Sequence, residues 1–363
     1  MPKLFGEEFT KDKLLRLVGD ISQIGGVRRY QLSDGKEKGV EVVEFRTGTG
    51  FRFTVLPSRG MDISLAEFQG KSLAWRSHTG DVAPEFYEPE GLGWLRGFFG
   101  GLLVTCGMTH FGAPCVDEGQ PLGLHGRYSF TPATNVWADG KWSGDDYIFW
   151  AEGKMREAVI FGENLCLTRR IWGRLGESRL YLQDVVENLG YNSTPHMLLY
   201  HVNGGYPAVA PGGRLLCPSR KVEPRDEVAL PGLGQWNQFP DPIPGFKEMV
   251  YFHDLAEDES GEVVSALVNK KADAGKGFGF YIRYRKQQLP KFIQWKMVGE
   301  GHYVCGMEPA TNLVTGRDKA REAGELCYLE PGEKREYHLE IGILPSNKEI
   351  EELEGKIEAL LKA

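Results

Sequence analysis

Glu308, in the stretch LPKFIQWKMVGEGHYVCGMEPATN (Leu289 to Asn312), is the carboxylate from which chemistry can be argued. The stretch reads as two strands. Phe292, Gln294 and Lys296 alternate with Ile293, Trp295 and Met297, and a Gly-bracketed turn leads into Tyr303 to Glu308. Pro309 follows and cannot extend a ladder of hydrogen bonds, so Glu308 is expected at a strand end, aimed into a cleft. A carboxylate held there can serve as a general base, and an imidazole across a small substrate from it as a general acid.

Several stretches offer partners. In NSTPHMLLYHVNGGYP, counting by twos puts Leu199, His201 and Asn203 on one face and His196 and Tyr200 on the other. His201 and Asn203 are therefore expected to project together into a space lined by Gly204 and Gly205. His110 and His125 lie between glycines in the segment Gly100 to Arg127, where backbone can approach a ligand closely; for either alone a structural side chain is the more economical account. Arg59 and Asp62 flank a glycine in LPSRGMDI, where a turn with a local ion pair explains them equally well. His253 and Asp254 end the strand of EMVYFHDL, and a capped strand end is the favoured account there. A carboxylate and an imidazole are not specific by themselves in a chain this long.

The elements that must position these groups are strands. Val40 to Phe45, Phe51 to Leu56, Ile63 to Phe68, Tyr147 to Trp150, Leu165 to Trp172, Arg179 to Glu187 and Met197 to Val202 are β-branched or aromatic runs between turns. Met249 to His253, Val263 to Val268, Phe278 to Tyr284 and Arg335 to Leu344 follow. Pro231 to Pro244 reads as a long surface loop. Helical spacing is confined to the ends: a short helix over residues 10–19 after a Thr10 cap, and a helix over 346–362. The latter opens with the capping pattern Ser346-Asn347-Lys348-Glu349 and carries Ile350, Leu353, Ile357 and Leu360 on one face. With no βα alternation, a single large antiparallel β-sandwich domain spanning 1–363 is the expected fold.

Composition narrows the function class. A formal charge of −7 argues against nucleic acid and leaves small neutral or cationic ligands open. No apolar run approaches the roughly 20 residues of a membrane span, and the first residues lack the pattern of a secretory signal, so a cytoplasmic protein without membrane contact is expected. The six cysteines are scattered singly, without a CxxC pair, and read as buried thiols. Long β edges make a homodimer possible.

Taken together, these stretches resemble the aldose 1-epimerase (galactose mutarotase-like) superfamily, in a branch known as a domain of unknown function. HYVCGMEPATN resembles the stretch that carries the catalytic glutamate, which places that role on Glu308. LEPGEKREYHLEIGIL resembles the last strands, and PLGLHGR the Leu-His-Gly motif with a ligand-binding histidine at His125. ENLGYNSTPHMLLYHVNGG resembles the segment bearing the acid histidine; matching His-x-Asn-x-Gly selects His201, matching Asn-x-Thr-x-His selects His196, and the shared face with Asn203 favours His201. LPSRGMDI and FFGGLLVTCGMTHFG depart from the usual Gly-Arg-x-x-Asn-Arg segment; the aspartate that holds sugar hydroxyls has no clear counterpart, with Asp254 a candidate.

The resemblance implies a carbohydrate substrate, no cofactor and no metal. It implies anomer exchange with Glu308 as base and His201 as acid. His125, Asn203, Arg59 and His110 would hold hydroxyls, and Trp75 or Trp295 would stack on the ring. Arg59, Arg127 and Arg225 are the residues that could read a carboxylate or phosphate. Two other readings stand beside it: a metal-assisted isomerase, epimerase or ring-opening hydrolase of a keto-sugar or cyclic polyol, and a non-catalytic sugar-binding protein.

Overall fold

In the computed structural model, which describes residues 1–362, the alternating runs become antiparallel strands, several longer than their apolar centres. Tyr147 to Trp150 is the beginning of Asp146–Ala158, and Met197 to Val202 the middle of Thr194–Gly204. Polar residues at both ends join the ladder because neighbouring strands supply the partners that each N–H and C=O requires.

Two large sheets pack together. The first has eight strands in the order Thr134–Ser143, Asp146–Ala158, Asn164–Arg174, Arg179–Asn188, Lys334–Leu344, Phe278–Arg285, Glu262–Asn269 and Arg214–Leu216. The second runs Ser219–Pro224, Met249–Leu255, Lys291–Gly299, His302–Ala310, Thr194–Gly204 and Cys327–Leu329, and Val104–Met108 also pairs with Thr194–Gly204. Leu167, Leu182, Ile282 and Leu339 from the first sheet share one apolar core with Leu198, Val202, Phe292 and Met307 from the second. This is the expected antiparallel β-sandwich. A third sheet of five strands, from Gly26–Gln31 to Lys71–Ser72, adds Phe45, Phe53 and Val55 to the same core.

A charged cluster is sealed within this core. Arg169 is fully buried and reaches Asp62 at 3.0 Å and Asp184 at 2.7 Å. Tyr200 Oη donates to Asp184 at 2.7 Å, and the backbone N–H of Thr105 donates to Asp62 at 3.0 Å. The cluster therefore ties the eight-stranded sheet to Thr194–Gly204, the strand that carries His201.

The N-terminal helix is shorter than its sequence pattern, Lys11–Leu15, with Thr10 Oγ1 accepting from Lys13 N. Only Leu14 within it is buried, and Leu17 is 69% exposed, so nothing holds a further turn. The C-terminal helix is Asn347–Lys362; Ser346 Oγ bonds Glu349 and accepts from Lys348 N, and Ile350 packs on Val268 and Leu344. Thr134–Ser143 has no counterpart among the expected strands. It is an edge strand that contributes no fully buried side chain, so it leaves no apolar run in the sequence. Between residues 231 and 244 only a short 3₁₀ turn, Leu230–Gln235, forms, in keeping with a loop.

Candidate active site

Strand register brings the acid and base candidates together. The register that pairs Leu199 with Ala310 and Val202 with Met307 sets His201 directly across from Glu308. The ladder is interrupted between those pairs, where Pro309 has no N–H to give. The expectation of Glu308 at a strand end is corrected here. The strand continues to Ala310, and Pro309 still faces Phe292 on its other side.

His201 Nε2 lies 3.2 Å from Glu308 Oε1, with both side chains almost wholly buried. The approach lacks hydrogen-bond geometry, so Glu308 Oε1 remains without a partner in the protein, as does His201 Nδ1. Burial pushes the Glu308 carboxyl well above the usual range; the charge of Glu248 adds to this and Arg225 opposes it. Burial likewise drives His201 well below the ordinary imidazole value, His125 adding to the effect and the Asn203 side chain opposing it. Each group is thus biased towards its uncharged form.

The pair opens on a cleft of about 410 Å³. Its wall is aromatic: the rings of Phe98 and Trp295 each lie 5.5 Å from His201, and Trp94 stacks on Phe98 at 4.7 Å. Glu248 steadies this wall, accepting from Trp295 Nε1 at 2.8 Å and from Arg225 Nη2 at 3.4 Å. His125 borders the cleft 6.0 Å from His201, ring to ring, and 4.8 Å from Trp94. Its backbone is left-handed, φ 58°, and it sits between glycines because the chain turns sharply there. Burial and the neighbouring His110 hold its pKa at about 4, and its Nδ1 has no partner.

Gly306 is a less obvious component. It lies on the same face as Glu308, and a Cβ there would press on Glu308 Oε1 and stand 3.1 Å from Trp295 Cβ. The absence of a side chain leaves the carboxyl its position.

Glu308, His201, His125 and Trp295 therefore share the cleft, while Trp75 lines an adjoining cavity bordered by the same Phe98 and Trp295. The other expected ligand contacts are corrected. Arg59 is buried and donates to the backbone carbonyls of Ser129, Val82 and Gly97, its guanidinium lying over Phe130; it is spent on holding three loops. Asp62 belongs to the sealed Arg169 cluster. His110 packs behind the cleft wall, with Nδ1 3.4 Å from Thr109 Oγ1. Asn203 shares the face of His201 as expected, yet is fully buried, its Nδ2 donating to His201 O at 3.0 Å. The space beside it is closed by protein: Trp75 N donates to Asn203 O, and a Cβ on Gly205 would stand 2.8 Å from Trp75 Cα. Asp254 points to solvent and pairs with Lys286 at 2.9 Å. His196 lies on the core face, its imidazole between Met108 O and Tyr337 Oη, which leaves His201 as the histidine of this strand on the cleft.

Glu248, Gly306, Trp94 and Phe98 are site residues that the sequence does not single out, whereas Arg225, one of the three arginines considered for reading an anion, does border the cleft. The signal for Glu248 is its place just before the strand Met249–Leu255, at the end opposite to His253 and Asp254. Among the described residues, no three His, Cys, Asp or Glu side chains converge closely enough to hold a metal ion. No helix among them is long and apolar enough to cross a membrane.

Comparison with known proteins agrees with this fold. The family model "Domain of unknown function (DUF4432)" matches residues 37–343. No curated protein matches. Among solved structures, a candidate aldose 1-epimerase from Klebsiella pneumoniae subsp. pneumoniae MGH 78578 is similar at 28% identity, covering 92% of this chain and 87% of that one, with a TM-score of 0.87. A galactose mutarotase-like protein from Clostridium acetobutylicum (12% identity, 89% and 99% covered, TM-score 0.61) shares the fold. So does galactose 1-epimerase from Lactobacillus acidophilus NCFM (13% identity, 89% and 100% covered, TM-score 0.53). The chain belongs to the DUF4432 family, a branch of the aldose 1-epimerase (galactose mutarotase-like) superfamily.

Proposed function

We propose that the protein is an isomerase of aldose 1-epimerase type, which interconverts the anomers of a sugar by general acid–base ring opening. The observation that carries this reading is the His201–Glu308 pair at 3.2 Å, facing an aromatic cleft. The Klebsiella structure, similar over most of both chains, supports the same class.

The reaction needs one proton on the pair. Glu308 as carboxylate takes the proton of the anomeric hydroxyl while protonated His201 gives one to the ring oxygen. The C1–ring oxygen bond breaks and the free aldehyde forms. Rotation about the C1–C2 bond and closure on the other face, with both transfers reversed, yields the other anomer. Burial favours the same single proton on Glu308 beside a neutral His201. Hydroxyls of the entering sugar supply the hydrogen bonds that a carboxylate needs to ionise and relay its proton to His201, since the direct 3.2 Å approach lacks hydrogen-bond geometry. Trp295 and Phe98 offer flat apolar surfaces to the ring, and His125 borders the same cleft with Nδ1 unpaired.

Saturation-transfer NMR over a panel of aldoses, uronates, ketoses and sugar phosphates tests this. Exchange on one sugar that vanishes in Glu308→Gln is the expected result. Silence across the panel with folded protein would overturn the catalytic reading.

A further inference from the structure

A second cavity, of about 400 Å³, adjoins the catalytic cleft and matches it in size. Leu95, Phe98, Glu248 and Trp295 line both, so one ligand can occupy the two without leaving the protein surface. Trp75 forms the far wall, 5.9 Å from Trp295 and nearly perpendicular to it. The position of Trp75 is set by backbone: its N–H donates to Asn203 O at 3.0 Å and its carbonyl accepts from Gly101 N at 2.7 Å. Gly100 and Gly205 have no Cβ where Trp75 packs against them. The platform is rigid before any ligand arrives, which lowers the entropy cost of binding.

Chemistry narrows the occupant. Two imidazoles, His78 and His302, stand 5.2 Å apart at the rim, and His302 lies 6.3 Å from Trp75. Aromatic faces with a few polar groups at their edge suit a ring that has apolar C–H faces and hydroxyls around its circumference. Glu248 is the only carboxylate, lysine or arginine lining the second cavity. Arg225, the one cation on the cleft, is already engaged by Glu248 and Asp226. An anionic substituent would find no free cation there and would face the Glu248 carboxylate.

We propose that the second cavity is a subsite for a second, uncharged sugar ring, so that the preferred substrate is a neutral reducing disaccharide with its reducing ring at His201 and Glu308. This rests on the anomer-exchange reading of that pair.

The test compares glucose and galactose with maltose, cellobiose, lactose and melibiose, by anomer exchange in wild type, Trp75→Ala and His302→Ala. In wild type, at least one disaccharide should exceed both monosaccharides in kcat/KM by about tenfold, the factor that one well-placed ring stack supplies. Each variant should lower that ratio, Trp75→Ala to near one. Equal kcat/KM for one-ring and two-ring sugars in wild type, or a ratio that neither folded variant alters, would overturn the subsite. Should no sugar exchange, the catalytic reading fails by itself, and tryptophan-fluorescence titration with the same sugars decides the subsite. Tighter binding of a disaccharide, weakened in His302→Ala, sustains it; equal or undetectable binding of both sizes removes it.

Discussion

Replacing Glu308 with glutamine separates the chemistry of the site from its packing. The amide matches the carboxyl in size, and Gly306 leaves the same room for it. A positioned general base contributes about 10²–10⁴-fold, and the upper half of that range is expected here. No other group on the cleft is placed to substitute: Glu248 is already bonded to Trp295 Nε1 at 2.8 Å and to Arg225 at 3.4 Å. A fall in kcat/KM of about 10³–10⁴-fold, roughly 4–5.5 kcal/mol of transition-state stabilisation, should be read by anomer exchange on the sugar identified in wild type. Retention of more than about a tenth of the wild-type rate, a loss far smaller than a general base provides, would refute the role of Glu308.

The same variant has a signature without substrate. Burial raises the Glu308 carboxyl in the folded protein, while in the unfolded chain it titrates near about 4.3. Between those two values the folded state binds more protons, so the wild type loses stability as pH rises through that window. Glutamine has no proton to lose. The melting temperature of Glu308→Gln should therefore gain on that of the wild type as pH increases from about 4.3 upwards. Parallel melting curves at all pH values would mean that the carboxyl is well solvated, and the account of a neutral resting pair would fall.

His201→Gln should show the opposite dependence. Burial depresses the folded pKa of His201, so its contribution to stability is present above the unfolded value of about 6.5 and is lost as pH falls towards the folded one. The acid-side decline in melting temperature should be shallower in the variant, and an unchanged slope counts against the buried neutral imidazole. Gly306→Ala alters no ionisable group but displaces the Glu308 carboxyl, and should lower kcat/KM by about 10²-fold with little change in fold; undiminished exchange would mean the cleft wall gives way freely. Arg169→Met leaves Asp62 and Asp184 buried without their cation and should cost about 3–5 kcal/mol in urea unfolding, against which an unmoved midpoint would be decisive.

The sequence by itself determined most of the strands, because alternation with a period of two records which side of a pleat meets the core; Thr134–Ser143, with no buried face, left no such record. The same alternation put His201 and His196 on opposite faces, but only the structure decided which of the two meets the cleft. The two terminal helices were legible from their caps and apolar spacing, though the length of the first depended on what it could bury. Periodicity says which way a side chain points, but not what stands in front of it. Asn203 points the same way as His201, yet it is fully buried, its amide nitrogen taken up by the carbonyls of His201 and Gly100. Asp254 and Glu248 flank one strand, and only the packing of that strand beside Lys291–Gly299 puts Glu248 on the cleft and Asp254 in solvent. Arg59 had the composition of a ligand contact, but its acceptors are carbonyls of three loops distant in the chain. The pairing of His201 with Glu308 likewise came from the tertiary structure: it is a cross-strand register between segments about a hundred residues apart, set by non-local contacts that local sequence does not encode.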